Sequence, residues 1–226
     1  MIDRATLETL ADQFTDAHPR FDARQQQTAL TVFRLLGEGR PVDLDAVAAR
    51  TGRPPRQVAA DLDAWPSVHR DGDGRVVGLW GLTLRPTAHA LDVDGHTLYT
   101  WCALDALFVP ELVGRPARVR STSPTSGQTV TLTVDDDGPH GITPSSAVMT
   151  LRRVTAGFVD AWRGVGESTT VDSFCCYVHF FADEDEARAW VGGDDNTLVA
   201  SIADGFAYGR RYNHRQFGAA LQRATA

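Results

Sequence analysis

The hydrophobic pattern of this chain changes its period near residue 95, and that change constrains the fold more than any other feature. Before it, apolar residues recur at helical spacing in short segments, which precede the turn RDGDGR and the strand-like run VVGLWGLTL. After it, runs such as QTVTLTV alternate with a period of two and are interspersed with helical segments. Helices grouped beside strands are typical of the α+β class. We therefore predict a helical, winged-helix-like module over residues 1–95, and an α+β core of antiparallel strands and helices over residues 96–226.

Four further segments have simple expected conformations. The stretch LRPTAHALDVDGH predicts a linker between the two parts. The stretch HTLYTWCALDALFVPEL predicts an apolar helix from Leu98 that ends at Pro110, because proline interrupts helical hydrogen bonding. The stretch VDSFCCYVHFF predicts a buried strand, and DGFAYGRRYNHRQFGAALQRA predicts a closing helix.

The net charge of −7 argues against nucleic acid as a partner. A winged-helix pattern invites a DNA-binding interpretation, but the helix that would enter the groove has Arg56 against Asp61 and Asp63. Such a helix would repel phosphate, so we predict that the module is structural and does not bind DNA.

The sequence also bears on localisation. No apolar run approaches the ~20 residues that a membrane span requires, and the N-terminus is an acidic amphipathic segment rather than a signal peptide. We therefore expect a cytoplasmic protein with no membrane partner, whose three cysteines are kept as thiols.

Cys102 and Asp105 stand three residues apart in the predicted apolar helix, a spacing that brings their Cβ atoms to about 5–6 Å on one face. A thiol and a carboxyl group in an apolar stretch are costly unless they are used or satisfied. The plainer interpretation is that Cys102 is a small buried hydrophobe and that Asp105 bonds to a loop backbone. The residues alone leave both interpretations open.

The adjacent cysteines, Cys175 and Cys176, lie in the predicted strand, where a period of two would place their side chains on opposite faces. Cys176 would share a uniformly apolar face with Phe174, so we predict that it is structural and lies in the core. Cys175 would share a mixed face with His179, so we predict that it is functional. His179 could be a neighbour or a ligand of Cys175, although such a histidine is more often a satisfied core residue.

The cysteine spacing does not match the C-x₂-C pattern of structural zinc sites. Two thiolates and one carboxylate suit a thiophilic ion of low coordination number better. A cysteine hydrolase with His179 as its base is conceivable, but no nucleophile-elbow or oxyanion motif supports it.

At these residues the chain resembles the organomercurial lyases (alkylmercury lyases) of bacterial mercury resistance. The resemblance rests on LYTWCALDALFVPELVGRPARVRS, SGQTVTLTV and DSFCCYVHFF, and it extends over nearly the whole chain. It implies a degenerate winged helix joined to an α+β core. It also implies that Cys102 and Cys175 are catalytic and bind mercury, and that Asp105 is the essential carboxylate. Many members have a further, non-catalytic cysteine, and here Ser123 lies near its place.

The resemblance implies a detoxification reaction, the protonolysis of a carbon–mercury bond, in which R–Hg⁺ gives a hydrocarbon and Hg(II). Both sulfurs would donate electron density towards the carbon, and Asp105 would handle the proton. No cofactor would be required, because mercury is itself substrate and product. Cytosolic thiols would release the product, and a mercuric reductase is a further candidate partner.

The reaction sets demands on its surroundings. The start of a helix would help to lower the pKa of the Cys102 thiol, and apolar surroundings would raise that of Asp105. Trp101 and Phe174 flank the two catalytic cysteines in sequence and could line an apolar pocket for the organic group.

Two other functions remain open on the sequence. A metal- or thiol-sensing regulator would use the winged helix for DNA and the cysteines as its sensor. A non-catalytic protein that sequesters soft metals would need the cysteines but not Asp105. Turnover of an organomercurial, as against stoichiometric capture, separates the enzyme from both.

Overall fold

A computed structural model of the chain describes residues 2–162 and 169–222. Its N-terminal part contains α1 (Arg4–Ala17), α2 (Ala23–Leu36), α3 (Leu44–Thr51) and α4 (Pro55–Ala64). Local sequence explains where α2 begins, because Asp22 accepts hydrogen bonds from the free backbone N–H groups of Arg24 and Gln25. Pro55 occupies the first turn of α4, where a missing N–H costs nothing. The predicted helical character of this region is therefore confirmed.

The main sheet has eight antiparallel strands in the order β1-β2-β3-β5-β4-β6-β7-β8. The strands are β1 (Val68–Arg70), β2 (Val76–Leu79), β3 (Leu82–Thr83), β4 (His89–Val93), β5 (His96–Thr100), β6 (Ala117–Thr122), β7 (Thr129–Asp135) and β8 (Gly138–Thr143). The sheet continues past residue 95, because Leu82 of β3 pairs with Thr100 of β5. The division of the chain into two domains at that residue stays a prediction.

A smaller sheet has the order β10-β9-β11 and is also antiparallel. Its strands are β9 (Val148–Arg152), β10 (Phe180–Phe181) and β11 (Thr197–Ser201). The helices of this half are α5 (Ala103–Val113), α6 (Ala156–Trp162), α7 (Thr170–Ser173), α8 (Glu184–Val191), α9 (Ile202–Phe217) and α10 (Ala219–Gln222). The mixture of helices and antiparallel strands confirms the predicted α+β class.

Helix α5 is the centre of the core, because ten of its eleven residues are buried. It contacts α2, α9 and the main sheet, and α9 also packs against α1. The predicted start and end of this helix were wrong. Residues His96–Thr100 belong to β5, and the helix continues beyond Pro110 to Gly114, whose φ of +76° ends it. Burial of Leu112 and Val113 outweighs the one hydrogen bond that Pro110 cannot donate.

The predicted linker was also wrong, because residues 89–93 form β4. This strand pairs on both sides, with β5 and with β6, and buries Leu91 and Val93. Neighbouring proline and glycine residues hide its alternating pattern in the sequence.

The segment that contains the adjacent cysteines is not the buried strand that its sequence predicts. It forms α7, a 3₁₀ turn over Cys175–Tyr177 and only two strand residues, Phe180–Phe181. Thr169 caps α7 by accepting the N–H of Asp172, and the Asp172 carboxylate accepts the N–H of Thr169 in return. This local capping favours a helical turn over an extended strand. The period of two therefore does not apply to the cysteine pair.

Among the described residues, no helix combines the length and the apolar character that crossing a membrane requires.

Candidate active site

Two thiols and one carboxyl group meet at the start of α5. The sulfurs of Cys102 and Cys175 and a carboxylate oxygen of Asp105 all lie within 4.8 Å of one another. Each residue is almost inaccessible, with exposed fractions of 1%, 4% and 5% respectively. The cluster therefore consists of groups that bind thiophilic cations and exchange protons, held away from bulk water.

The N-terminus of α5 sets the positions of Cys102 and Asp105. Cys102 is the N-cap residue, with an extended backbone, and Asp105 is the third residue of the helix. The Cys102 backbone N–H donates to Oδ2 of Asp105 at 2.9 Å, as in a capping box. The same hydrogen bond therefore caps the helix and aims the carboxyl group back at the cysteine.

The 3₁₀ turn that contains Cys175 is attached to the same helix end. The N–H of Ala103 donates to the carbonyl of Val178 at 3.1 Å, and the N–H of Val178 donates to the carbonyl of Cys175. Thr150 of β9 holds the turn from the other side, because its hydroxyl donates to the Tyr177 carbonyl at 2.8 Å. Backbone bonds thus fix Cys175 opposite Cys102, although the two residues are far apart in sequence.

Gly81 closes one side of the cluster. Its carbonyl accepts the N–H of Trp101 at 2.9 Å, which ties the β2–β3 turn to the segment before α5. A Cβ atom built on Gly81 would lie 2.5 Å from both Cγ and Oδ1 of Asp105. Only glycine leaves room for the carboxyl group at this distance, and no local pattern around Gly81 indicates that constraint.

Burial controls the ionisation of Asp105. Removal from water raises the pKa of this carboxyl group from 3.8 to about 7, although hydrogen bonds from Cys102 and from the Trp101 backbone partly oppose the shift. The predicted rise in its pKa is confirmed in direction. At neutral pH the group is therefore divided between its acid and its base form.

The Cys102 thiol does not show the expected lowering of its pKa, and the pKa of Cys175 is raised as well. Burial raises the pKa of the Cys102 thiol well above its usual value, and contact with the Cys175 thiol adds to the rise. For Cys175, the hydrogen bond with Cys102 lowers the pKa, but burial and the Asp105 charge outweigh it, so the net pKa is raised. The desolvation of a charged sulfur exceeds what a helix N-terminus supplies here. Both thiols are neutral in the free site, and they must lose their protons when a cation binds.

A small cavity of about 20 Å³ opens beside the cluster, with room for roughly one water molecule. Most of its walls are aromatic side chains from distant parts of the chain. The lining residues are Phe14, His18, Trp80, Gly81, Trp101, Asp105, Phe108, Phe158, Trp162, Thr170, Phe174, Cys175 and Tyr212. Trp101 and Phe174 line this cavity, and their role in holding an organic group stays a prediction. Sequence analysis did not identify Phe14 of α1 or His18, which directly follows that helix.

Cys176 and His179 lie apart from the cluster. Cys176 is exposed and its thiol donates to the Asp172 carbonyl at 3.1 Å, so the prediction that it packs in the core was wrong. Nε2 of His179 lies 2.8 Å from the Cys176 carbonyl, and its ring packs against Trp190. His179 is not part of the three-residue cluster.

Comparison with known proteins identifies relatives for both parts of the chain. The family model described as alkylmercury lyase matches residues 82–213, and the model of the helix-turn-helix domain of alkylmercury lyase matches residues 7–80. Together the two models extend over most of the chain.

Individual relatives agree with these matches. The chain is 39% identical to an alkylmercury lyase of Staphylococcus epidermidis, over 81% of this chain and 80% of the relative. It is 38% identical to one of Streptomyces lividans, over 79% and 78% of the two chains, and 36% identical to one of Pseudomonas putida, over 82% of each. A crystal structure of the mercury-bound form of MerB2 has the same fold, with a TM-score of 0.69 at 18% identity over 96% of this chain and all of that one.

Proposed function

The chain belongs to the alkylmercury lyase family, whose members cleave the carbon–mercury bond of organomercurials, and we propose that it does so with Cys102 and Cys175 as mercury ligands and Asp105 as the proton-transfer group. The proposal is carried by one observation: two thiols and one carboxyl group are buried together, with their ligand atoms within 4.8 Å of one another. The substrate is an organomercury cation, and the products are a hydrocarbon and Hg(II). The proposed reaction uses no further metal or cofactor.

Substrate binding replaces thiol protons with mercury. As R–Hg⁺ approaches, a sulfur–mercury bond forms and the thiol proton moves to the carboxylate form of Asp105. The raised thiol pKa values make a free thiolate costly, so deprotonation accompanies bond formation rather than preceding it. Because soft sulfur strongly prefers a soft cation, the mercury–sulfur bond offsets the cost of ionising a buried thiol.

Binding of the second sulfur activates the carbon–mercury bond for cleavage. The second sulfur–mercury bond forms as the proton of that thiol is lost to water. Electron density then shifts from the two sulfurs through mercury towards the organic carbon, which becomes carbanion-like. Protonated Asp105 then delivers its proton to that carbon as the carbon–mercury bond breaks. Overall, R–Hg⁺ and two thiols give R–H, a mercury dithiolate and one proton, so atoms and charge balance.

The ionisation of Asp105 suits a group that both takes and gives a proton. With a pKa of about 7, neither form is strongly favoured at neutral pH. A carboxyl group at its ordinary value would hold a proton poorly, since each pKa unit is worth about 1.4 kcal/mol. In the substrate-free site, the backbone N–H of Cys102 stabilises the charged form of Asp105 by donating a hydrogen bond to it.

The surroundings support an apolar organic group on the substrate. The aromatic walls of the cavity, which include Trp101 and Phe174, offer few directional contacts. Such a surface favours alkyl and aryl groups on hydrophobic grounds.

Release of Hg(II) needs an external acceptor. A cation held by two buried thiolates leaves slowly unless other thiols exchange for them, because mercury dissociates by stepwise replacement of its ligands. We infer that small cytosolic thiols perform this exchange and that a mercuric reductase is a further acceptor.

The test is the release of methane from methylmercury and of benzene from phenylmercury, measured by gas chromatography in excess thiol. Cys102→Ser, Cys175→Ser and Asp105→Ala should each abolish release. Cys176→Ser is the matched control, because its thiol is exposed and outside the cluster, and it should retain wild-type rates. Stoichiometric capture of mercury without hydrocarbon in the wild-type protein would instead indicate a sequestering protein, and full activity of Asp105→Ala would remove the proton-transfer role.

A further inference from the structure

His18 lies between the buried cavity and the outer surface. It lines the small cavity that contains Cys175, and it also lines an outer groove of about 460 Å³. Trp162 is the other residue common to both linings, and its ring lies 4.1 Å from that of His18, centroid to centroid. These two side chains, whose ring planes are tilted by 47°, lie between the groove and the cavity.

The local hydrogen bond fixes the tautomer of His18. Its Nδ1 lies 2.6 Å from the backbone carbonyl oxygen of Phe14. A carbonyl oxygen can only accept, so Nδ1 carries the proton and the neutral ring keeps its lone pair on Nε2. No hydrogen bond to Nε2 is found within residues 2–162 and 169–222.

The neighbours of His18 keep the ring neutral. Only 6% of the residue is exposed, and its ring packs among those of Phe14, Phe158, Trp162 and Tyr212. Burial lowers the pKa of this imidazole to about 4. A neutral imidazole with a free nitrogen is a ligand for soft and borderline cations.

Other polar groups of the groove are already engaged. Asp16 pairs with Arg215 at 3.2 Å, and Asp63 pairs with Arg70 at 2.7 Å. Both are hard oxygen ligands, which mercury prefers less than nitrogen. His18 is therefore the groove residue best suited to bind an organomercury cation.

We propose that the groove is the access route to the cysteines and that Nε2 of His18 binds the mercury of the incoming substrate before Cys175 does. This inference rests on the proposed function. In the first step R–Hg–X and His18 give R–Hg bound to nitrogen, and X⁻ leaves into the groove. In the second, a mercury–sulfur bond to Cys175 forms as the mercury–nitrogen bond breaks, and the thiol proton moves to the carboxylate of Asp105.

The direct test uses protein without thiols. In the variant Cys102→Ser/Cys175→Ser/Cys176→Ser, with ¹⁵N-labelled histidine, methylmercury chloride is added and the imidazole nitrogen resonances are followed. We expect one Nε2 resonance to shift saturably and to be missing when His18→Asn is added. Methylmercury that shifts only other histidines, or none, would overturn the inference.

A kinetic test uses the complete enzyme and does not depend on that variant folding. His18→Asn keeps a donor for the Phe14 carbonyl, and His18→Phe keeps the aromatic packing, but both lack Nε2. For methylmercury we expect kcat/KM to fall about tenfold in both, with kcat at saturation nearly unchanged. His89→Asn is the control, because His89 is also buried but is not among the residues that line the cavity.

The possible outcomes separate the two proposals. Unchanged kcat/KM in both His18 variants, or an equal fall in kcat and kcat/KM, would overturn the binding role of His18. Absence of hydrocarbon release by the wild-type enzyme would overturn the proposed function instead, and the resonance titration would still decide whether His18 binds mercury.

Discussion

Gly81 and Asp105 approach each other so closely that a single methyl group between them would collide with the carboxylate. A Cβ atom on Gly81 would lie 2.5 Å from Cγ of Asp105, well inside any real contact distance. The backbone of Gly81 also has a φ of +98°, a value that residues other than glycine rarely adopt. The β2–β3 turn thus determines where the Asp105 carboxyl group can lie, although the turn has no reactive atom of its own.

Gly81→Ala should therefore impair activity by displacing the Asp105 carboxyl group. A carboxylate displaced by about 1 Å can lower the rate of hydrocarbon release by about 100-fold. Gly95→Ala is the matched control, because Gly95 has a similar φ of +82° but nothing within 4 Å of its Cβ position. Both variants should lose about 1 kcal/mol of unfolding free energy through backbone strain, and Gly81→Ala should lose about 1–3 kcal/mol more through overlap with Asp105. Only Gly81→Ala should lose activity. Equal activities would show that Asp105 tolerates the displacement.

Asp105→Asn should stabilise the protein at high pH while it abolishes activity. Because burial raises the pKa of Asp105 from 3.8 to about 7, the folded protein binds more protons than the unfolded chain between those values. Wild-type stability therefore falls as pH rises through that window, and asparagine, which can still accept the Cys102 N–H, has no such dependence. At about pH 8 we expect a gain on the order of 2–4 kcal/mol, shrinking towards pH 4.

Urea denaturation of both proteins under reducing conditions measures this difference. The comparison between wild type and variant cancels the titration of the other groups, so the change with pH reports on Asp105 alone. A stability difference that is the same at both ends of the pH range would mean that the carboxyl group titrates normally in the folded protein.

Local spacing was enough to predict some of the site. The three-residue separation of Cys102 and Asp105 correctly indicated neighbouring side chains, because that contact forms within one helical turn. The choice of Cys175 over Cys176 agrees with their burial, but the strand argument behind it was wrong, because α7 and the 3₁₀ turn replace the strand. In this segment a local capping interaction determined the backbone conformation, and the apolar composition did not.

Contacts between distant segments could not be predicted in the same way. His18 contributes to the cavity only because α1 packs against α9, and nothing in the sequence around it specifies that partner. The importance of Gly81 could not be predicted either, because it depends on the side chain of Asp105, which belongs to another element. The sequence pattern reported which residues could be buried but not which buried residues would meet.

Thiol reactivity should distinguish the three cysteines. Cys176 is exposed, whereas Cys102 and Cys175 are buried, so one thiol per native chain should react with Ellman's reagent before unfolding. Burial raises the pKa of Cys176 somewhat, so its rate should increase as pH rises and more thiolate forms. Cys176→Ser should remove this phase, and urea should expose the other two thiols. A second thiol that reacts as fast in the native protein would contradict the burial of the cluster.

Tyr208→Phe should stabilise the protein, because the Tyr208 hydroxyl is buried and has no hydrogen-bond partner among the described residues. An unsatisfied buried hydroxyl costs about 1–3 kcal/mol, so its removal should raise the unfolding free energy by about 1 kcal/mol. Thr150→Val is the opposite case. The Thr150 hydroxyl donates to the Tyr177 carbonyl and accepts the backbone N–H of His179. Its loss should lower the unfolding free energy by a similar amount or more. Urea midpoints of the two variants measure the contrast. A loss of stability in Tyr208→Phe would show that this hydroxyl has a partner in solution.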